Sequence, residues 1–464
     1  VTNTNQPNKI LQFVDRHFSG DTLDYHQVIA ILIPVLVDQT FVTCLNLVNT
    51  AMISSSGVAA VSAVNMVDSL NIFLVNVFIA VSTGGTVVVA QYKGSDNPKM
   101  IGKAAAGSIG SVFLLALGIS LLVVVLHKPT LTLLFGGAQA DVLKDARIYI
   151  IGSGTSYCGV ALEEAVCGAL RGVGETRSSL GLSVIMNFSY VLLNFFFINL
   201  LHMGVLGMSI SINIARYIGA ACALIYLTKF NESIHFHFQD LFVFNPSMLK
   251  RIFFIGIPFA AEQMFFNGGK ILTQTFIVKL GTFAIATNAI CGSLASVYQI
   301  PANALSLTII TVVGQCIGAK NIKDARKFIR SFLMLSSFSF VAMGVLIAPI
   351  FGSLVMLFHP PAQIVPDIHT IILINTIAQI PLWSISFITP SALRAAGDSK
   401  FTSVVAMLSM WLFRVVLGYI LGIVLHFGII GVWFAMDCEW SVRGTIFLVR
   451  FRGKKWYAHN VIGN

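Results

Sequence analysis

Long apolar runs set the strongest limit on what this chain can become. Bounded by Gly, Pro or charge, they cover residues near 27–53, 59–91, 101–127, 143–170, 178–200 and 204–228, then 249–277, 283–316, 328–351, 364–393, 402–425 and 428–449. A helix that crosses a bilayer needs about 20 consecutive, mostly apolar residues, and every run is long enough. Only 10% of the 464 residues are charged, against about a quarter in soluble domains, which excludes a water-soluble enzyme. Runs of this length without alternation predict helices rather than an outer-membrane barrel. The expected fold is an all-α polytopic membrane protein with twelve transmembrane helices.

Orientation follows from the 29 Lys and Arg, which are retained on the cytoplasmic side of short loops. With the N-terminus inside, cytoplasmic segments hold Lys9, Arg16, Lys93, Lys99, Lys103, Arg171, Arg177, Lys229, Lys250, Arg251, Lys320, Lys323, Arg326, Lys327, Arg330, Arg394, Lys400, Arg450, Arg452, Lys454 and Lys455. The opposite side holds only Lys128, Lys144, Arg147 and Lys279. Both termini are therefore expected in the cytoplasm, and the net charge of +10 reflects topology rather than a nucleic-acid partner. The polar first 25 residues lack the apolar core of a signal peptide. The seven cysteines show no CxxC or Cys/His spacing, so neither a disulfide framework nor a metal site is indicated.

The chain also repeats itself. A shift of 224 residues lays Ile33, Pro34, Asp38, Gln39 and Phe41 on Ile257, Pro258, Glu262, Gln263 and Phe265, and pairs Gly57 with Gly281, Gln91 with Gln315, Gly94 with Gly318, Gly204 with Gly428 and Gly207 with Gly431. One residue fewer aligns Ala169-Leu170-Arg171 and Gly174-Glu175 with Ala392-Leu393-Arg394 and Gly397-Asp398. Six spans per half is an even number, so the halves enter the membrane alike as two parallel six-helix repeats, with an expected axis along the membrane normal and a substrate route between them. The expected division is a tail at 1–25, an N-lobe at 26–228, a connector at 229–248, a C-lobe at 249–450 and a tail at 451–464.

Over nearly its whole length the chain resembles the multidrug and toxic compound extrusion (MATE) transporters. The resemblance rests on Ala90-Gln91-Tyr92-Lys93-Gly94 and Gly314-Gln315-Cys316-Ile317-Gly318 closing the second span of each half, and on Leu170-Arg171 through Thr176 and Leu393-Arg394 through Asp398 after the fourth. Gly204 to Gly207 and Gly428 to Trp433 open the sixth. It implies a two-lobed exporter of amphipathic, cationic organic compounds in a bacterial cytoplasmic membrane, driven by Na+ or H+, monomeric and without a cofactor.

A charge within a span costs a few kcal/mol on insertion scales, about 2.5–3.5 at the centre, so each needs a partner, water or a function. Asp38 and Glu262 each follow a proline by four residues in the first helix of a half. Proline frees a backbone carbonyl, and a freed carbonyl beside a carboxylate suits Na+ or a proton. The plain alternative is a carboxylate bonded to a neighbouring helix. Asp38 and Asn49, eleven residues apart, share a helix face, as do their counterparts Glu262 and Thr273. Asp68 lies among Asn65, Asn71 and Asn76, a cluster that fits either a wetted surface or a buried network. Asn187, Tyr190 and Asn194 occupy one face of the fifth span, where ordinary helix packing is the alternative. Candidate Na+ ligands are Asp38, Asn49, Asp68 and Glu262.

Several positions depart from the family. Many relatives carry an aspartate where Asn49 stands here, and some an Asn-x-x-x-Asp where Tyr190 and Asn194 stand. An amide releases no proton near neutral pH but still offers a carbonyl oxygen, so coupling must lean on Asp38, Asp68 or Glu262. Relatives often place a glutamate one turn beyond Glu262, at Phe266. Lys270 is read as a substrate-site or counter-ion residue. Glu163 and Glu164 near Arg171, and Glu439 with Arg443, Asp437, Arg414 and Arg216, read as structural charge networks. Phe41, Phe265, Phe266 and Tyr298 are candidates to line an apolar cavity. A flippase for lipid-linked oligosaccharides is the rival reading; no P-loop or HExxH motif supports an enzyme.

Overall fold

In the computed structural model, residues 9–135, 139–237, 239–240, 245–459 and 461–462 are described. Parts of the expected tails and connector, such as 1–8 and 241–244, lie outside the described residues. The described chain forms helices α1 (Lys9–Phe18), α2 (Tyr25–Ser54), α3 (Val58–Gly94), α4 (Pro98–Val125), α5 (His127–Phe135), α6 (Ala140–Thr155), α7 (Tyr157–Val173), α8 (Thr176–Asn194) and α9 (Gly204–Lys229). There follow α10 (Pro246–Lys279), α11 (Thr282–Gly318), α12 (Ile322–Ile347), α13 (Phe351–Met356), α14 (Val365–Trp383), α15 (Thr389–Ala395), α16 (Ser399–Ser409) and α17 (Gly428–Arg452). There is no strand among the described residues, as a bilayer demands of segments that must satisfy their own backbone groups.

Among the described residues, nine helices are long and apolar enough to cross a membrane. The other three expected spans are present as helices with polar interruptions. α6 and α7 divide one span at Ser156, and the remaining two are α10, with Glu262 and Lys270, and α17, with Asp437, Glu439 and Arg443. Leu114, Leu121 and Leu122 on α4 are each more than half exposed, the surface expected of residues that meet lipid rather than water.

The backbone repeats as the residues do. Left-handed conformations recur at Gly57 and Gly281 (φ 99° at both), Gly174 and Gly397 (92° and 95°), Gly204 and Gly428 (55° and 61°), His202 and His426 (52° and 59°), and Asp96 and Lys320 (52° and 58°). Such conformations cost a non-glycine residue about 1–2 kcal/mol, so their recurrence marks the same turns built twice. The helix starts agree: Asn97 accepts from the Met100 amide and Asn321 from the Asp324 amide.

Two compact units divide the chain: one of residues 33–263, the other of residues 1–32 with 264–464. The chain passes between them inside helices, just before Pro34 in α2 and just after Glu262 in α10. In the first unit α3 packs on α4, α6 and α7. A Cβ added at Gly168 of α7 would lie 2.6 Å from Ser82 Oγ and 2.8 Å from Thr86 Oγ1 of α3; small residues bring the backbones together where lipid supplies no hydrophobic drive. The start of α10 belongs to this unit, Arg251 donating to the Tyr92 hydroxyl. In the second unit α11 packs on α12, α14 and α15, and α17 on α14. The N-terminal segment is fastened there: Thr22 N donates to Asp324 Oδ2 at 2.8 Å, Ser331 Oγ to the His17 carbonyl at 2.6 Å, and Lys327 to the Ser19 carbonyl.

Candidate functional site

A carboxylate in an apolar bundle is tolerated where neighbours supply its hydrogen bonds. Asp68 on α3 has two such neighbours: Tyr149 Oη of α6 donates to Asp68 Oδ1 at 2.9 Å, and Asn71 Nδ2 donates to the same oxygen at 3.0 Å. Tyr157 Oη of α7 then donates to Asn71 Oδ1 at 2.6 Å. Tyr190 of α8 packs against the cluster that holds Tyr149 and lies near the Asn194 side chain. Asn194 Nδ2 donates to Asn49 Oδ1 of α2 at 2.9 Å. Asp68, Asn49, Tyr190 and Asn194, four candidates drawn from three spans, are thereby brought together.

Asn194 is completely buried, and its Oδ1 has no hydrogen-bond partner among the described residues. It closes the α-helical part of its span; Phe195–Leu200 continues as π-helix. A π turn widens the helix by one residue and leaves main-chain groups to be redirected, an arrangement frequent at functional sites. The matching span of the second half carries π segments at Met410–Leu417 and Ile420–Val424.

Asp38 belongs to a second cluster. It meets Ser183 of α8 and its neighbour Gln39, while its Oδ1 is buried without a partner among the described residues. Asn187 Nδ2 donates to the Ser183 carbonyl at 2.9 Å and lies 3.4 Å from Ser183 Oγ. Glu164 pairs with Arg171, and buried Glu163 accepts from the Cys167 thiol at 3.2 Å. Three carboxylates thus share the field of one guanidinium, and Glu164 is the one that Arg171 holds. Glu262 is buried near the end of the first unit's part of α10.

In the second unit the polar candidates separate. Thr273 is buried but turns its hydroxyl to its own helix, donating to the Gly269 carbonyl at 2.9 Å. Lys270 is exposed, with its Nζ 4.9 Å from the Phe266 ring centre. Arg414, in the π segment, approaches the same ring at 5.2 Å. Its guanidinium pairs with Glu439 Oε2 at 2.8 Å, and Arg443 holds Oε1 at 2.8 Å while donating from Nε to Ser386 Oγ at 2.7 Å. Asp437 lies in the field of Arg414 and accepts from Asn375 Nδ2 at 2.9 Å. Arg216 lies in the other unit, donating to Ser156 Oγ at 2.8 Å. Tyr298 is buried in the apolar core of the second unit, whereas Phe265 is exposed and meets Trp411 edge-on.

Sequence reasoning missed Tyr149, Tyr157 and Ser183. The one available signal was that the two tyrosines bracket Gly152-Ser153-Gly154-Thr155-Ser156, a small and polar stretch within an apolar run.

Comparison with known proteins agrees with this architecture. The MatE family model matches twice, over residues 34–200 and 258–420, with starts separated by the sequence offset. An uncharacterized transporter, YisQ of Bacillus subtilis (strain 168), is 27% identical over 91% of this chain and 93% of its own length. A probable multidrug resistance protein, NorM of Thermotoga maritima, is 24% identical over 94% of each chain. Among solved structures, that of a MATE protein in the bent conformation superposes with a TM-score of 0.85 at 16% identity, covering 96% of this chain and 97% of the other.

Proposed function

Because the chain belongs to the MatE family, whose members are membrane transporters and not enzymes, we propose that it is a secondary active antiporter exporting amphipathic organic cations in exchange for Na+ or H+. The N-lobe (26–228) and C-lobe (249–450), joined by the connector at 229–248, rock around a central cavity, with both termini in the cytoplasm of a bacterial cell. Relatives named as multidrug resistance proteins support the substrate class.

The observation that carries the coupling role is the convergence of Asn49, Tyr190 and Asn194 through Tyr149 on Asp68, the titratable acid of that network. The orphaned Asn194 Oδ1 adds an oxygen that is free to meet a cation. Na+ favours several oxygen donors, and a proton needs only the carboxylate. Asp38, with one oxygen unsatisfied, and Glu262 are the other coupling acids, while Asn187 positions Ser183 against Asp38. Occupation of these groups favours the state that releases drug, because a ligand shifts an equilibrium only through its differential affinity for the two states.

The test is uptake of a fluorescent organic cation into proteoliposomes, with Na+ and pH gradients imposed separately. One gradient should drive uptake, and Asp68→Asn should abolish that dependence while leaving the protein folded. Asp38→Asn and Glu262→Gln should impair it. Gradient-driven uptake at the wild-type rate in all three variants removes the coupling mechanism. Failure of both gradients, with translocation of a lipid-linked precursor instead, establishes the flippase.

A further inference from the structure

Lys270 is an unusual residue to find where it is. It lies nine residues before the end of α10 at Lys279, about 13 Å along the axis at 1.5 Å per residue, too deep for its ammonium to reach the interface easily. It is nonetheless exposed, and no carboxylate lies within ion-pair distance of it among the described residues. Acyl chains do not solvate an ammonium, so such a group faces water or a ligand. Its nearest charges are Arg414 and Glu439, and both Glu439 oxygens are already engaged by Arg414 and Arg443. Three cations stand against two carboxylates, Glu439 and the Asp437 that also lies in the field of Arg414. Two further donors are unused: Arg414 Nε and Arg443 Nη2 are buried without a hydrogen-bond partner among the described residues, in side chains 9% and 3% exposed. On the same two segments, next to Phe266 and three residues before Arg414, Phe265 and Trp411 present exposed rings that meet edge-on.

We propose that the second unit holds an oxyanion site in which Lys270 and Arg414, set about the Phe266 ring, receive the carboxylate, sulfonate or phosphate of an amphipathic molecule whose apolar body rests on Phe265 and Trp411. This deepens the transport reading, on which it rests for the fate of the bound molecule: the substrates include anionic and zwitterionic compounds. An oxyanion supplies the charge that Glu439 cannot, and the planar guanidinium suits it geometrically. Two sources share this chemistry, a soluble organic acid and an anionic lipid headgroup.

Binding to purified protein in phosphatidylcholine nanodiscs separates the site from transport. Dansylglycine, which carries a carboxylate, should bind at least tenfold more tightly than neutral dansylamide. Lys270→Gln should reduce that ratio to about one, and Lys270→Arg should retain it. If phosphatidylglycerol in the nanodisc abolishes the preference by competition in the wild-type protein, the occupant is a lipid headgroup; if the preference survives, it is a soluble acid. Equal binding of the two dansyl probes to the wild-type protein overturns the proposal. So does a preference that survives Lys270→Gln. Ethidium transport, measured in parallel, reports independently on the export reading.

Discussion

Tyr149 donates its hydroxyl proton to Asp68 at 2.9 Å, tying α6 to α3 through a carboxylate buried among apolar side chains. A hydrogen bond to a charged group contributes about 1.5–3 kcal/mol. Tyr149→Phe should therefore lower the apparent melting temperature of the detergent-solubilised protein by a few degrees. Asn71 still donates to Asp68 at 3.0 Å in that variant, so folding is retained. Tyr149→Phe with Asp68→Ala should be less destabilised than the sum of the two single variants, because both remove the same bond. Strict additivity in thermal unfolding would show that the bond is energetically silent.

Glu439 stands between two guanidiniums at 2.8 Å each and is completely buried. Removing one partner of a buried ion pair leaves uncompensated charge and costs about 3–5 kcal/mol. Glu439→Gln should thus reduce the yield of monodisperse protein severely in size-exclusion chromatography. Asp437→Asn, two residues away, should be mild, since Asp437 accepts from the Asn375 amide and the oxygen of the introduced amide can accept the same bond. Equal yields of the two variants would mean that Arg414 and Arg443 find other anions.

How much of this could be read from residues alone depends on direction within the bundle. Along the chain, the signals are strong. Apolar runs mark the helices, and glycines recurring at an offset of 224 anticipate left-handed turns such as those at Gly57 and Gly281. Across the bundle, they are weak. Tyr149 and Asp68 are 81 residues apart, and a tyrosine within an apolar run looks the same whether it faces lipid, a core or a carboxylate. Helical periodicity put Asn187 on the face of Tyr190 and Asn194, but the Ser183 carbonyl one turn back captures its amide at 2.9 Å. The π segments beyond Asn194 and around Arg414 shift the helical phase by a residue and have no composition that announces them.

The N-terminal segment rests on a small number of contacts. Asp324 accepts from the Thr22 amide at 2.8 Å, and a Cβ at Gly20 would fall 2.5 Å from the same carboxylate oxygen. Asp324→Ala removes the acceptor and Gly20→Ala forces the loop away from it. Both should release α1, so trypsin should cut at Arg16 several-fold faster than in the wild-type protein, with the helical bundle intact. Unchanged cleavage in both would show that the bonds from Ser331 and Lys327 to this segment suffice to hold it.

The Asn49–Asn194 pair allows a change of coupling chemistry without a change of shape. Asn194 is the donor, from Nδ2 to Asn49 Oδ1 at 2.9 Å, so Asn194→Asp removes that donor. Rotation of the Asn49 amide by half a turn restores the bond, with Asn49 Nδ2 donating to the introduced carboxylate, and the two side chains differ little in volume. The variant should fold, and because a carboxylate releases its proton where an amide cannot, transport should acquire a titration that this pair does not contribute in the wild-type protein. Adding Asn49→Asp sets two carboxyl groups at hydrogen-bond distance, where like charges prevent both from ionising together. The double variant should then bind one proton more tightly than the single one, and its transport should respond at a higher pH. Transport rates measured from about pH 5 to pH 9 in proteoliposomes, a range that spans a raised carboxyl titration, decide the matter: identical profiles for the wild-type, single and double variants would place the coupling step elsewhere than at this pair.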